Sequence, residues 1–265
     1  MARKIETEPS QIVETVKTIA WAAVIAVVIR TFAYEPFSIP SGSMIPTLLV
    51  GDYLFVSKTA YGYSRFSFPW GVVPLQDRIW EDSPERGDVI VFRPPGEPQT
   101  DFIKRLIGLP GDTVQVKEGV LYINDQPVKR ERIEDFVNLD NGIASPQYIE
   151  TLPEGVAHRI IETRGDQGDL DNTPIYVVPE GHYFMMGDNR DSSSDSRVLA
   201  GLMPSDRNMR ITDQAQLGNV GFVPAENLIG PAKVLFWSYD NTLKLVNPIT
   251  WATALRWRRL GNLVE

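Results

Sequence analysis

Near the start of the chain, Thr18 to Ile29 (TIAWAAVIAVVI) runs without a single charge between Lys17 and Arg30. A run this apolar constrains the fold before anything else, because it must end up inside protein, inside lipid, or cleaved away. It is shorter than the roughly 20 residues that span a bilayer. Lys17 and Arg30, however, can snorkel on their aliphatic stems, so a helix from about Ile12 to Tyr34 is long enough to cross. Two other readings compete. Thr31-Phe32-Ala33 imitates the small-x-small site of a cleaved signal peptide, but Glu6, Glu8 and Glu14 stand where such a leader should be basic. The third is a buried helix of a soluble protein. The membrane anchor accounts best for the flanking charges. Arg3, Lys4 and Lys17 precede the segment and Arg30 follows, which by the positive-inside rule favours a cytoplasmic N-terminus.

Beyond Tyr34 the pattern turns β-like. Asp52–Ser57, Asp88–Phe92, Asp112–Val116, Val120–Ile123, Tyr183–Met186 and Lys233–Trp237 read as strands, several opened by Gly-Asp. Twenty prolines and twenty glycines in 265 residues favour a turn-rich β body over a helical bundle. Lys129 to Asn172 is rich in charged residues, with strand-like pieces such as Ala157–Ile161, and reads as an inserted polar subdomain. Pro204 to Gly218 reads as a mobile, turn-rich surface loop. The expected fold is mainly β: an antiparallel β-sheet or barrel-like core, an inserted polar β-rich subdomain and one N-terminal transmembrane helix. The expected division is 1–14 as a cytoplasmic N-terminus, 15–34 as anchor, 35–128 with 173–265 as catalytic core, and 129–172 as insertion.

Composition excludes several functions. A net charge of −8 argues against a nucleic-acid-binding surface. The absence of cysteine removes disulfides, thiolate nucleophiles and Cys-ligated zinc, and two histidines leave little room for a His-rich metal centre. Neither G-x-G-x-x-G nor a P-loop occurs, so no nucleotide is expected. No serine is followed three residues later by lysine, and no G-x-S-x-G elbow accompanies His158 or His182.

What remains is a hydroxyl and an amine. Pro40-Ser41-Gly42-Ser43-Met44-Ile45-Pro46-Thr47 holds two serines out of a helix just after the apolar segment. A serine hydroxyl needs a base to attack, and lysine serves only when its pKa, ordinarily about 10.4, is pulled toward neutrality by desolvation. Lys104, between Phe102-Ile103 and Arg105, has the apolar neighbours for that. Taken alone, each feature has an ordinary reading: Ser-Gly-Ser as a turn, Lys104 as an exposed strand-edge lysine, and Gly187–Arg197 as a salt-bridged loop.

Together they resemble one family. Phe37-x-Ile39-Pro40-Ser41-Gly42-Ser43-Met44-x-Pro46-Thr47-Leu48, Gly51-Asp52, Lys104-Arg105-x-x-Gly108-x-Pro110-Gly111-Asp112 and Gly187-Asp188-Asn189-Arg190-Asp191-x-Ser193-x-Asp195-Ser196-Arg197 are similar, in order and spacing, to the boxes of bacterial type I signal peptidases. The resemblance implies a Ser43 nucleophile, a Lys104 general base, and an oxyanion hole made by the Ser41 hydroxyl and the Ser43 backbone N–H. It implies that Ser193 orients the lysine and that Asp188, Arg190, Asp195 and Arg197 brace the site. Phe37, Ile39, Met44, Leu48 and Ile103 would line shallow pockets for small side chains, and Trp237 and Trp251 would touch the lipid interface. The implied partners are signal-peptide-bearing preproteins with Ala-x-Ala-like sites and the lipid bilayer, with no metal, cofactor, nucleotide or nucleic acid. The implied location is the bacterial cytoplasmic (inner) membrane, single-pass, with the catalytic domain on the periplasmic side. Two departures stand out: Ser192 replaces the family's usual asparagine, and Pro204–Gly218 separates boxes that usually lie closer.

Overall fold

The structure is a computed structural model that describes residues 11–64, 78–80, 82–138, 142–201, 206–240, 242, 251 and 253–264. Arg3, Lys4, Glu6 and Glu8, positions 139–141 of the polar stretch and positions 204–205 of the turn-rich loop lie outside the described residues.

The apolar segment forms helix α1, Gln11–Phe32, none of whose residues is buried. At ~1.5 Å per residue its length is ~33 Å, and it is the described helix long and apolar enough to cross a membrane. The helix takes in both Lys17 and Arg30. Beyond it the described residues are mostly strands, with short 3₁₀ turns between some of them. The strands are β1 (Tyr34–Ser38), β2 (Asp52–Ser57), β3 (Val89–Phe92), β4 (Phe102–Gly108), β5 (Thr113–Lys117), β6 (Val120–Ile123), β7 (Gln126–Pro127) and β8 (Lys129–Val137). They continue with β9 (Ala144–Thr151), β10 (Ala157–Ile161), β11 (Ile175–Val177), β12 (His182–Met186), β13 (Arg210–Ile211), β14 (Phe222–Pro224) and β15 (Leu228–Ser238).

A seven-stranded sheet in the order β1-β2-β15-β3-β4-β12-β14 carries the site, and β5, β6, β7, β11 and β13 form a second sheet. The polar stretch supplies a third, β10-β9-β8. As expected, the body is mainly β and built largely of antiparallel sheets; all of them are open among the described residues, with no closed barrel. Pairing within the first sheet is antiparallel throughout. Apolar residues from facing strands fill three core clusters.

Several strands read differently in sequence. β4 has the charges of Lys104 and Arg105 at its centre, yet every residue from Lys104 to Gly108 is buried. The turn-rich loop is tied down where it is described. β13 pairs in parallel with β11, Asp213 caps a short 3₁₀ turn over Gln214–Gln216, and Gln214 Oε1 accepts the Phe222 N–H at 2.8 Å.

Candidate active site

Three segments converge on one cavity: the loop between β1 and β2, strand β4, and the loop after β12. The first carries Ser41 and Ser43. Its ends are pinned by backbone bonds between Ile39 and Asp52 (2.8 Å) and between Gly51 and Ile39 (3.0 Å). Asp52, fully buried, accepts the Leu49 N–H at 2.8 Å, the Ser238 hydroxyl at 2.6 Å and the Arg259 guanidinium at 2.5 Å. Beneath the loop, Met44 and Leu48 are fully buried in the core. Asn189 holds the loop from the other side, its N–H donating to the Ser43 carbonyl at 3.0 Å and its amide to the Gly42 carbonyl at 3.1 Å.

Lys104 reaches the same point from β4, where it pairs with Ile90 of β3. Its Nζ lies 2.6 Å from Ser43 Oγ. Lys104 is 4% exposed and Ser43 8%. Burial pulls the Lys104 amine down from 10.5 to about 8; Asp195 and Asp188 oppose this and Arg197 adds to it. The Phe102 ring, 5.6 Å from Nζ, would by its π face favour the ammonium, so desolvation wins here against three opposing influences.

The loop after β12 is held by buried ion pairs. Arg105 donates to both Asp188 oxygens at 2.9 and 2.8 Å and to the Gly87 carbonyl at 2.7 Å, and Thr47 adds its hydroxyl to Asp188 at 2.5 Å. Arg197 pairs with Asp195 at 2.9 Å and reaches the Arg190 carbonyl at 2.6 Å. Burial alone would push both carboxyls up, but Arg105 and Arg197 outweigh it and hold Asp188 and Asp195 below the usual aspartate range. Arg190 binds Glu150, with one contact at 3.0 Å. Burial opposes ionisation of Glu150, and Arg190 with His158 more than compensates.

Glu150 is the residue that sequence reasoning missed. It comes from β9 in the polar stretch, and the one signal for it is that a buried Arg190 requires a buried acid. His158 Nε2 sits 3.3 Å from Glu150 and 4.0 Å from Asp188. The hydrogen bond that Ser43 Oγ makes is to Lys104, not to either histidine.

The sequence-predicted residues sort as follows. The cavity, about 480 Å³, is lined by Phe37, Ile39, Ser41, Ser43, Ile103 and Lys104, and also by Asn189, Ser192 and Ser194. Met44 and Leu48 support it from below and do not form its wall. Ser193 Oγ is buried and makes no well-formed hydrogen bond among the described residues, although it lies close enough to Asp195 to help hold that carboxylate low. A Cβ on Gly187 would fall 2.2 Å from Ser193 Oγ and 2.6 Å from the Ser43 carbonyl, so Gly187 is where the two loops touch. Trp237 is half-buried and Trp251 exposed. A carboxylate trio, Glu162, Asp171 and Asp191, lies outside the cavity lining.

This arrangement is a hydroxyl hydrogen-bonded to an amine of lowered basicity, at the wall of an apolar cavity of ligand size. Comparison with known proteins gives the family. Residues 12–237 match the family model described as signal peptidase, peptidase S26. Signal peptidase I of Rickettsia typhi (strain ATCC VR-144 / Wilmington) is 39% identical over 252 residues, covering 89% of this chain and 88% of its own. Signal peptidase I of Rickettsia canadensis (strain McKiel) is 37% identical over 260 residues, covering 92% and 90%. A crystal structure of a signal peptidase I from Enterococcus faecalis V583 aligns at 28% identity with a TM-score of 0.30, over 57% of this chain and 97% of that one. A family match over most of its length, with such identities in nearly full-length relatives, means that the chain belongs to the signal peptidases of family S26.

Proposed function

We propose that the chain is a membrane-anchored endopeptidase that removes N-terminal signal peptides from exported preproteins through a Ser43–Lys104 pair. The observation that carries this reading is the 2.6 Å contact between Lys104 Nζ and Ser43 Oγ. Neutral Lys104 takes the Ser43 proton as Oγ attacks the carbonyl of the residue ending the leader. Ser41 Oγ and the Ser43 N–H receive the developing oxyanion, and an acyl-enzyme forms. In that step the scissile C–N bond breaks as the Lys104 ammonium gives its proton to the leaving amine, and Lys104, neutral again, activates water to release the acyl group. Ser193 acts as the positioning hydroxyl for the amine, which requires its side chain to turn toward Nζ. Phe37, Ile39 and Ile103 leave room for alanine-sized side chains, consistent with Ala-x-Ala-like sites.

Helix α1 is the anchor, with the N-terminus cytoplasmic and the catalytic body on the outer face of the bacterial inner membrane; its length and the Lys17 and Arg30 that bound its uncharged run support this. The test is mass spectrometry of a leader-bearing precursor before and after exposure to the detergent-solubilised protein. Cleavage after a small residue is expected, with Ser43→Ala and Lys104→Ala both inert while retaining the wild-type circular dichroism spectrum. An uncut precursor, or full turnover by either variant, overturns the proposal.

A further inference from the structure

Where β10 ends, the chain enters a turn that folds back over the loop after β12, and three carboxylates meet. Glu162, Asp171 and Asp191 each offer an oxygen within 4.8 Å of the others. Glu162 and Asp171 are each 1% exposed. Glu162 Oε2 and Asp191 Oδ1 are shut off from solvent and accept no hydrogen bond. The surrounding backbone serves other oxygens: the Gly168 N–H donates to Asp171 Oδ2 at 2.5 Å and the Arg164 N–H to Asp191 Oδ2 at 2.6 Å. The turn wraps so closely that a Cβ on Gly168 would stand 1.9 Å from Asp191 Oδ1 and 3.1 Å from Asp171 Oδ2.

Positive charge nearby is already committed. Arg130 is 3.8 Å from Glu162 but forks onto Asp166 at 2.9 and 3.0 Å. Arg190 is spent on Glu150, and Arg197 on Asp195. Burial pushes the Glu162 carboxyl up to about 8, with Asp171 and Asp191 adding to the burial and Arg190 opposing it. A buried carboxylate oxygen that accepts no hydrogen bond is costly, and such groups are ordinarily paired or coordinate a cation.

We propose that Glu162, Asp171 and Asp191 bind one divalent cation, and that calcium is its preferred identity. The donors are all carboxylate oxygens, which suit a hard cation. Calcium takes such oxygens at about 2.4 Å, so ligands on opposite sides of one ion stand about 4.8 Å apart, whereas magnesium would need the trio drawn in to about 4.2 Å in near-octahedral order. The ion would clamp the turn after β10 to Asp191, three residues past Asp188 and two before Ser193, and so stiffen the loop that faces Lys104. It takes no part in the bond-breaking step.

The test uses the full chain in detergent after treatment with a chelator, titrated calorimetrically with calcium chloride or magnesium chloride and followed by thermal unfolding. One calcium per chain is expected, with an unfolding temperature raised by calcium and lowered again by the chelator. Glu162→Gln and Asp191→Asn should each weaken calcium binding by about tenfold or more. Without metal, both variants should unfold no lower than the metal-free wild type, because a repelling carboxylate has gone; that comparison separates a lost ligand from a damaged fold. Absence of binding at millimolar calcium, equal binding by the variants, or tighter binding of magnesium than of calcium would each overturn the proposal.

Discussion

An amine shielded from water costs the fold what it gives to the chemistry. Lys104 is held at about 8 against an ordinary 10.5, so below pH 8 the folded state carries a buried ammonium that the unfolded chain solvates freely. The sign follows: the penalty is fully present below the folded value and vanishes as pH rises past the unfolded one. At ~1.4 kcal/mol per pH unit it amounts to roughly 3 kcal/mol. Lys104→Met should therefore be inactive yet more stable than wild type at pH 7, by up to that amount, with the gap closing toward pH 10. Denaturant unfolding at the two pH values measures it, and a Met variant no more stable at neutral pH would sink the desolvation account. For the same reason kcat/KM should climb with pH up to about 8 and level off above it. Gly187 gives a geometric counterpart. A methyl there meets Ser193 Oγ and the Ser43 carbonyl, so Gly187→Ala should cut kcat/KM about a hundredfold by shifting the nucleophile about 1 Å, a loss that steady-state kinetics on a leader peptide would read. Ser43, Lys104 and Gly187 were all legible in the sequence because their boxes are dense in Gly, Pro and charge. Glu150 was not, since nothing in β9 distinguishes a buried acid from its exposed neighbours.

At the level of elements, the strands that announced themselves were those whose apolar residues meet the core: β2, β3, β5, β6, β10, β12 and β15. Eight did not, and three of these are instructive. β1 contains Glu35 and Pro36 at the sheet edge. β8 is mostly charged, with six of its nine residues exposed. β4 has two cations in mid-strand, and period-two reading takes cations as exposed. Here Lys104 is satisfied by Ser43 and Arg105 by Asp188, so tertiary partners replace the solvent that local sequence implied. Arg105 is thus the rivet between β4, the nucleophile loop through Thr47, and the loop after β12. Arg105→Ala leaves Asp188 buried without its counter-charge and should cost about 3–5 kcal/mol. Arg105→Lys should recover only part of this, because an ammonium cannot fork onto both Asp188 oxygens while also reaching Gly87. Urea unfolding of the two variants beside wild type gives both differences; a near-neutral Arg105→Ala would remove the ion pair from the account of how the loops are held.

For the molecule as a whole, the question is how the apolar helix α1 is joined to the β body. No residue of helix α1 is buried, and none belongs to the three core clusters. The joint is polar and local. Lys58, 1% exposed, donates to the Arg30 carbonyl at 3.2 Å and pairs with Glu35 at 2.8 Å. The Lys58 N–H meets the Ala33 carbonyl at 2.9 Å and the Tyr63 hydroxyl meets the Phe32 carbonyl at 2.5 Å. Beside this joint, Phe55 and Phe236 stack at 4.3 Å on the β1-β2-β15 side, with Tyr34 packed edge-on against Phe55, an aromatic surface suited to the lipid interface. The sequence disclosed the helix by its uncharged run, whereas the joint was invisible, because Lys58 and Tyr63 read as ordinary polar residues. A chain beginning at Arg30 keeps every one of these contacts, and none of the described helix residues it loses is buried. It should unfold within a degree or two of the full chain, still cleave a soluble leader peptide, and no longer float with phospholipid vesicles. Its processing of a precursor embedded in those vesicles should fall much further than its cleavage of the free peptide. Flotation undiminished by the truncation would assign the membrane contact to the aromatic surface alone and remove α1 from that role.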